Sequence, residues 1–460
     1  MKKKKVYVDY GESQIEIPVP ENTVVVKCED PPALPKPTER FRELLEAPVG
    51  LPPLRNLVEK GAKVTIAFDS PPRSGVPKRL FIPILSEELE RLGVPFDNIK
   101  LICANATQWK RTRAELYNNL GPELFSKYWP NRLITHDCSQ DLAYLGESEL
   151  GDFVEYNRAV VESDLLIYMG TIGVINWGGF TGTGVVVGLG SARSIQSHHS
   201  WVIAHPDSCH GDPRESLYMK HKQAVHAQIE KATGRKILYV DSFMNTKEEI
   251  CNIVVGHCPE INEVEWQLAE KYFRVPVPQA DIVVIGLPLT QVYGSTHNPL
   301  LAMAYMTMTI RTWINKPLLK PGGVLIGVVK CSGEIDQRRR PFDKEVWDLF
   351  GRVHSALDLF DFEEEFLTRE DYLYRYRHCH AVHPIHAFWL FYENQYLLDH
   401  PSKVIFAGEV NPEAVRKLGC TPAKNFEQAW GQAIQVVGEN PRVVVIPDYM
   451  SRLKMQFDVR

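Results

Sequence analysis

Residues 164–201 read DLLIYMGTIGVINWGGFTGTGVVVGLGSARSIQSHHSW. An apolar run of strand length passes into a glycine-rich turn, then three valines, then a small-residue stretch ending in His198 and His199. This is the pattern of a strand, a tight loop and a helix, the repeating unit of a parallel α/β sheet. The glycines would let backbone N–H groups approach a phosphate at a helix start. The loop has neither the Lys-Ser/Thr of a P-loop nor the spacing of a dinucleotide fingerprint. A phosphate cradle, a metal site and an ordinary strand-turn-helix all remain open from these residues alone.

Working outward, the same alternation recurs. Strand-like runs lie at KVTIAF (63–68), IKLICAN (99–105), RLITHDC (132–138) and KILYVDS (236–242), separated by amphipathic stretches such as PILSEELERLG and RAELYNNLG. Residues 1–60 suggest a hairpin (VYVDYG, IEIPVP, TVVVKC) and a Pro-rich connection into a helix near RFRELLEAP. The prolines of VPVPQA (275–280) suggest a linker. Beyond it come DIVVIGLP, a helix near 299–316, GGVLIGVVK, KVIFAGEV and RVVVIPDY. The expected architecture is α/β, two Rossmann-like domains with mainly parallel sheets and a cleft between them. Residues 1–275 form the N-terminal cofactor-binding domain and 276–460 the C-terminal one, whose last segment can pack back on the first.

The 460 residues suffice for two large cores. A net charge of -5 argues against a general nucleic-acid or anionic-membrane binder. MKKKK is followed by no apolar segment, and no stretch nears the ~18 apolar residues of a membrane span. Nine scattered cysteines suit reduced thiols and a cytoplasmic location.

In such sheets ligands sit at the carboxyl ends of strands. There the sequence places Asp69 and Arg73 around a Ser-Pro-Pro turn, the loop ANATQWKRT, and THDCS. Arg73 could hold a phosphate or carboxylate, or simply pair with Asp69 to stiffen the turn. Helical neighbours diverge by about 100°, so only one of His198 and His199 is expected to face a cleft. Further histidines cluster at His205, His210, His221 and His226, and at His378, His380, His383 and His386; core or solvated roles suit them better than metal ligation. No Walker motif, Gly-x-Ser-x-Gly or HExxH occurs.

In this order, FDSPPR, TRAEL, THDC, GGFTGTG…GLGSARSIQSHHS, HPDSCHGDP, NTKEEICNIVVG, VPVPQADIVVIGLPL, KPGGVLI and VVVIPDY together resemble the lactate racemase family over nearly the whole chain. The resemblance implies a nickel-pincer nucleotide as cofactor, nickel as its metal and a 2-hydroxy acid as substrate, hence an isomerase. It implies Asp69 and Arg73, with Gly179, Thr181, Gly182 and Gly184 of the loop, at the nucleotide, and His199 as the protein's ligand to nickel; His136 and Asp137 match a motif near the cleft. The expected partner is a small organic acid, with no nucleic acid or membrane; a homo-oligomer is compatible with this.

The departures are chemical. The family's two acid/base histidines fall near Gln108 and near Ile175 or Asn176, and its tethering lysine near Val185, where the loop has no lysine. An amide cannot take up a hydroxyl proton as an imidazole near neutrality can. Gln108, Asn176 and His297, in PLTQVYGSTHNP, are therefore the candidates at the reacting centre, with His297 or His198 as substitute bases. Any nucleotide would be bound noncovalently. Three readings stay open: a nickel-pincer-dependent racemase or epimerase, the same scaffold with lyase or other redox chemistry, and a non-catalytic binder of a nucleotide or organic acid.

Overall fold

The protein is described by a computed structural model covering residues 2–208, 211–350, 352–353 and 355–460. His210 therefore lies outside the described residues. The apolar runs form two sheets. The first has six strands in the order Ile250–Gly256, Leu238–Met244, Leu165–Thr171, Val64–Asp69, Ile99–Ala104, Leu133–Thr135. All its pairs are parallel except the outermost, Leu238–Met244 with Ile250–Gly256. Four of the strands carry near-continuous apolar sequence because helices cover both faces. The helix Arg113–Leu120 starts where expected: the Thr112 side chain accepts from the Glu115 N–H while Glu115 accepts from the Thr112 N–H.

The second sheet centres on Ala280–Pro288, flanked by Leu319–Val328 and Val443–Ile446, all parallel. Lys403–Ala407 and Thr421–Ala423 extend it. The opening hairpin, Lys3–Gly11 and Ser13–Pro20, joins the same sheet through Tyr10 and Gly11, and Val24–Val25 pairs with Val443–Ile446. The first 25 residues thus sit with the later block, not with the rest of residues 1–275. A hairpin's own pattern does not say which sheet edge it will extend.

Two more expectations are corrected. The linker VPVPQA contains a strand, Arg274–Val277, which pairs in parallel with Gln456–Val459; that strand in turn pairs with Trp313–Ile314. Pro276 is tolerated because Arg274–Val277 is an edge strand of this small sheet. The returning C-terminus thereby ties both blocks together. The helix near 299–316 ends at Ile310, because the chain turns into Trp313–Ile314. Its twelve residues are all buried, and it packs against a second apolar helix, His386–Asp399. That helix also lies on Trp201–Ala204, so one apolar layer runs from the first block into the second. Among the described residues no helix is long and apolar enough to cross a membrane.

Candidate functional site in the inter-domain cleft

The polar loops do collect at the carboxyl ends of the first sheet's parallel strands. After Thr171 the chain makes a small hairpin, Val174–Ile175 with Gly179–Phe180, then a helical turn Gly184–Gly188 and the helix Ala192–His199. Ser191 caps that last helix by accepting from the Ser194 N–H at 2.9 Å.

Two glycines of the loop are required by protein neighbours. A Cβ on Gly179, at φ +80°, would lie 1.7 Å from the Gly211 carbonyl oxygen, and one on Gly184 would lie 2.5 Å from the Tyr168 ring. Thr181 accepts from the Gly173 N–H at 2.9 Å, and its carbonyl accepts from the Trp266 indole at 2.9 Å. The Gly182 carbonyl accepts from the Lys222 ammonium. The loop is thus braced from behind by its own fold. Lys222 is a lysine at the loop after all, reaching in from the helix Leu217–Thr233, where no local pattern announces it. Burial brings its pKa down to about 8.

His198 and His199 both turn inward, and their rings do not diverge. The two Nδ1 atoms lie 2.8 Å apart, so one ring donates to the other. The 100° rule fixes only where side chains leave the backbone, and the helix ends at His199, so both rings reach round its last turn. His199 also meets the Tyr218 hydroxyl at 3.3 Å through Nε2 and is walled by Trp177 at 5.3 Å and Trp389 at 4.9 Å between ring centroids. Burial pushes both imidazoles well below their usual pKa, so both are neutral. His198 Nε2 has no hydrogen-bond partner.

The cationic side of the cleft begins at the end of Val64–Asp69. Asp69 accepts from the Tyr168 hydroxyl at 2.8 Å and pairs with Arg73 Nε at 3.1 Å. Arg73 keeps 47% of its side-chain surface accessible. Close to it stand the Tyr293 phenol and the Lys454 side chain, both near enough to interact with it electrostatically. Burial and the neighbouring Arg73 together bring Lys454 down to about 8, with Glu393 opposing them.

Both amide positions are bonded to ionisable partners. Gln108 Oε1 accepts from Arg111, a buried guanidinium brought down to about 10 by burial. Asn176 donates through Nδ2 to Oε1 of Glu393. His297 is held elsewhere: its Nδ1 accepts from the Ser332 N–H at 3.3 Å, with Glu12 as its charged neighbour. Asn176 thus adjoins the His199 pocket through Trp177, whereas the contacts of His297 lie with the second sheet's loops.

Three other histidines are bonded within the fold. His136, pushed by burial to about 4, bonds the Gly190 carbonyl and Asn157. His221 pairs with Asp152 at 2.8 Å, and His257 bridges Glu230 and Glu260. Asp137 is held by Lys110 at 2.9 Å. Among the described residues no three His, Cys, Asp or Glu side chains gather around one metal position. A metal that arrives with most of its ligands on a cofactor needs only one protein donor, and a buried neutral imidazole such as His199 is suitable.

Glu393 was not anticipated. It stands on the helix His386–Asp399, fully buried, within HAFWLFYENQYLL. A lone carboxyl inside so apolar a run is the signal that could have found it. Burial raises its pKa to about 8 against the opposing charges of Arg311 and Lys454 and the nearby Trp177 indole.

Residues 10–211 match the family model for the lactate racemase N-terminal domain. Over 424 residues the chain is 25% identical to the lactate racemase of Thermoanaerobacterium thermosaccharolyticum, covering 89% of this chain and 88% of that protein. The lactate racemase apoprotein structure from the same organism superposes with a TM-score of 0.74 at 21% identity, covering 99% of this chain and 100% of that one. A Thermotoga maritima protein superposes with a TM-score of 0.60 at 14% identity, covering 95% of this chain and 100% of that one. At these identities the solved structures support the fold.

Proposed function

We propose that this chain, a divergent member of the lactate racemase family, is a racemase or epimerase of a small 2-hydroxy acid that works with a noncovalently held nickel-pincer nucleotide. The observation that carries the reading is His199: a neutral imidazole, walled by aromatic rings, at the end of the helix that follows the glycine loop. Those residues fit the group. His199 would be the protein's nickel ligand, Arg73 with Asp69 would hold the nucleotide, and the glycine loop Gly179–Gly184 would border it. When bound, the nucleotide supplies a hydride acceptor and donor for the carbon bearing the hydroxyl.

The chain's own residues do the rest. For His199 Nε2 to bind metal, its Nδ1–H donates to His198, which orients the ring and fixes its tautomer. The ammonium of Lys454 can meet the substrate carboxylate. Trp177, Trp389 and Tyr218 exclude water and raise the worth of these charges. Eight free cysteines among the described residues support a reducing compartment, the cytoplasm.

One observation favours the second reading, an enzyme with different chemistry on this scaffold: Gln108 and Asn176 are bound to Arg111 and Glu393 and carry no base. Production alongside the cofactor-synthesis enzymes decides between them. The racemase reading expects nickel at one per chain, an apo-chain mass under denaturing conditions, and loss of optical activity from a single enantiomer of a 2-hydroxy acid. Nickel-free protein that leaves every enantiomer intact overturns it.

A further inference from the structure

We propose that Glu393 is the proton-transferring residue of the cleft, its Oε2 taking the proton of a substrate hydroxyl and returning it. This rests on the reading above that the cleft takes a 2-hydroxy acid. Three observations carry it. Glu393 is fully buried, and one oxygen is fixed by the Asn176 amide while Oε2 has no hydrogen-bond partner. The indole N–H of Trp177 beside it likewise has no hydrogen-bond partner. Trp177 also packs on His199, which places this carboxyl next to the pocket of the neutral imidazole.

The surroundings suit proton transfer. Arg311 faces the carboxyl from the end of the helix Pro299–Ile310, Lys454 and Tyr449 from the C-terminal segment, and Tyr293 from the loop before that helix. Burial outweighs the cations and holds the acid at about 8, close to a working pH, where a group can both take and give a proton. Lys454, also at about 8, can hold the substrate's carboxylate or exchange a proton with Glu393. In the step itself the substrate O–H bond breaks and the Oε2–H bond forms. The electron pair left on oxygen would become the second carbonyl bond while the hydrogen on the same carbon leaves as hydride, for which the nucleotide, when bound, would supply the acceptor. Reversal on either face of the planar keto acid restores the hydroxyl.

Glu393→Gln is the test, since glutamine keeps an oxygen for the Asn176 amide and nearly the same volume. In nickel-loaded protein, racemisation of the best 2-hydroxy acid should fall at least about 100-fold with nickel content unchanged. The alkaline-rising limb of kcat/KM near pH 8 should vanish. In the Lys454→Met variant that limb should move to higher pH than in wild type, a shift that a purely structural carboxyl would not produce. In cofactor-free protein, infrared difference spectra should show a protonated carboxyl that ionises as pH passes about 8 and is missing from E393Q. Racemisation by E393Q at the wild-type rate, or a carboxyl already ionised well below that pH, overturns the assignment alone. A wild type that takes up no nickel and racemises nothing overturns the hydroxy-acid reading, and this assignment with it.

Discussion

Beneath the glycine loop, Asp241 and Glu265 are buried side by side; across the cleft, Glu393 is buried without a carboxyl partner. Burial raises all three, Asp241 to about 7 and Glu265 well above the usual range. Their partners differ. Glu265 donates to Asp241, which also accepts from the Gly170 N–H at 2.8 Å, so the pair's proton is used inside the fold. Glu393 bonds an amide through one oxygen and leaves the other open beside the aromatic pocket of His199. Desolvation alone therefore does not mark a functional group. Glu265 Oε1 also has no hydrogen-bond partner, so what sets Glu393 apart is its place beside the aromatic pocket of His199.

The histidines divide the same way, and the largest expected effect tests that division. His199→Ala should abolish nickel uptake, measured per chain by elemental analysis, while the thermal transition barely moves. On the closed side, His221→Ala removes one partner of the buried Asp152, which keeps the Ser148 hydroxyl, and should cost about 1–3 kcal/mol in denaturant unfolding with no specific effect on metal. Equal nickel in wild type and H199A would remove the distinction.

Arg73→Ala comes next. Its guanidinium has one contact to Asp69 and ample free surface, so removal should weaken nucleotide binding by about 10–100-fold, read by calorimetry, and leave the fold intact. Unchanged affinity would make Asp69–Arg73 a turn-stiffening pair. His198→Ala sharpens the picture further. Because His198 contacts His199, its loss should lower nickel affinity about 10-fold instead of leaving it at the wild-type level. A metal titration with a competing chelator separates these outcomes.

Much of this was legible in the sequence, for reasons that also explain the failures. KVTIAF, IKLICAN and DLLIYMG became parallel strands within a residue or two of their apolar limits, because buried parallel strands need uninterrupted apolar runs. Asp69, Arg73 and the glycine loop fell at strand ends because that position follows from strand direction alone. Partners distant in sequence were not legible. Pairing of VPVPQA with the C-terminal strand, and of Asn176 with Glu393, depends on docking that neither segment encodes locally. The inward turn of both His198 and His199 depended on where their helix ends. Arg111 is different: it lies three residues from Gln108 in the quoted loop and could have been named as its partner.

The smallest effect is a slope. Asp241 and Glu265 have raised pKa values in the folded protein, so the folded state keeps a proton that the unfolded chain has released. Their stabilisation is complete below the unfolded carboxylate range, near pH 4, and is lost as pH rises toward 7 and beyond. One retained proton tilts stability by at most about 1.4 kcal/mol per pH unit. His136 and His226, both depressed to about 4, act in the opposite sense between pH 4 and their unfolded pKa, so the wild-type curve alone does not isolate the pair. Glu265→Gln with Asp241→Asn does, because the amides keep a donor and an acceptor but do not titrate. Subtracting the variant's denaturant midpoints from those of wild type should leave a difference that falls steadily from pH 4 to 7. A flat difference would mean that the two carboxyls titrate normally, and the contrast with Glu393 would then rest on its geometry alone.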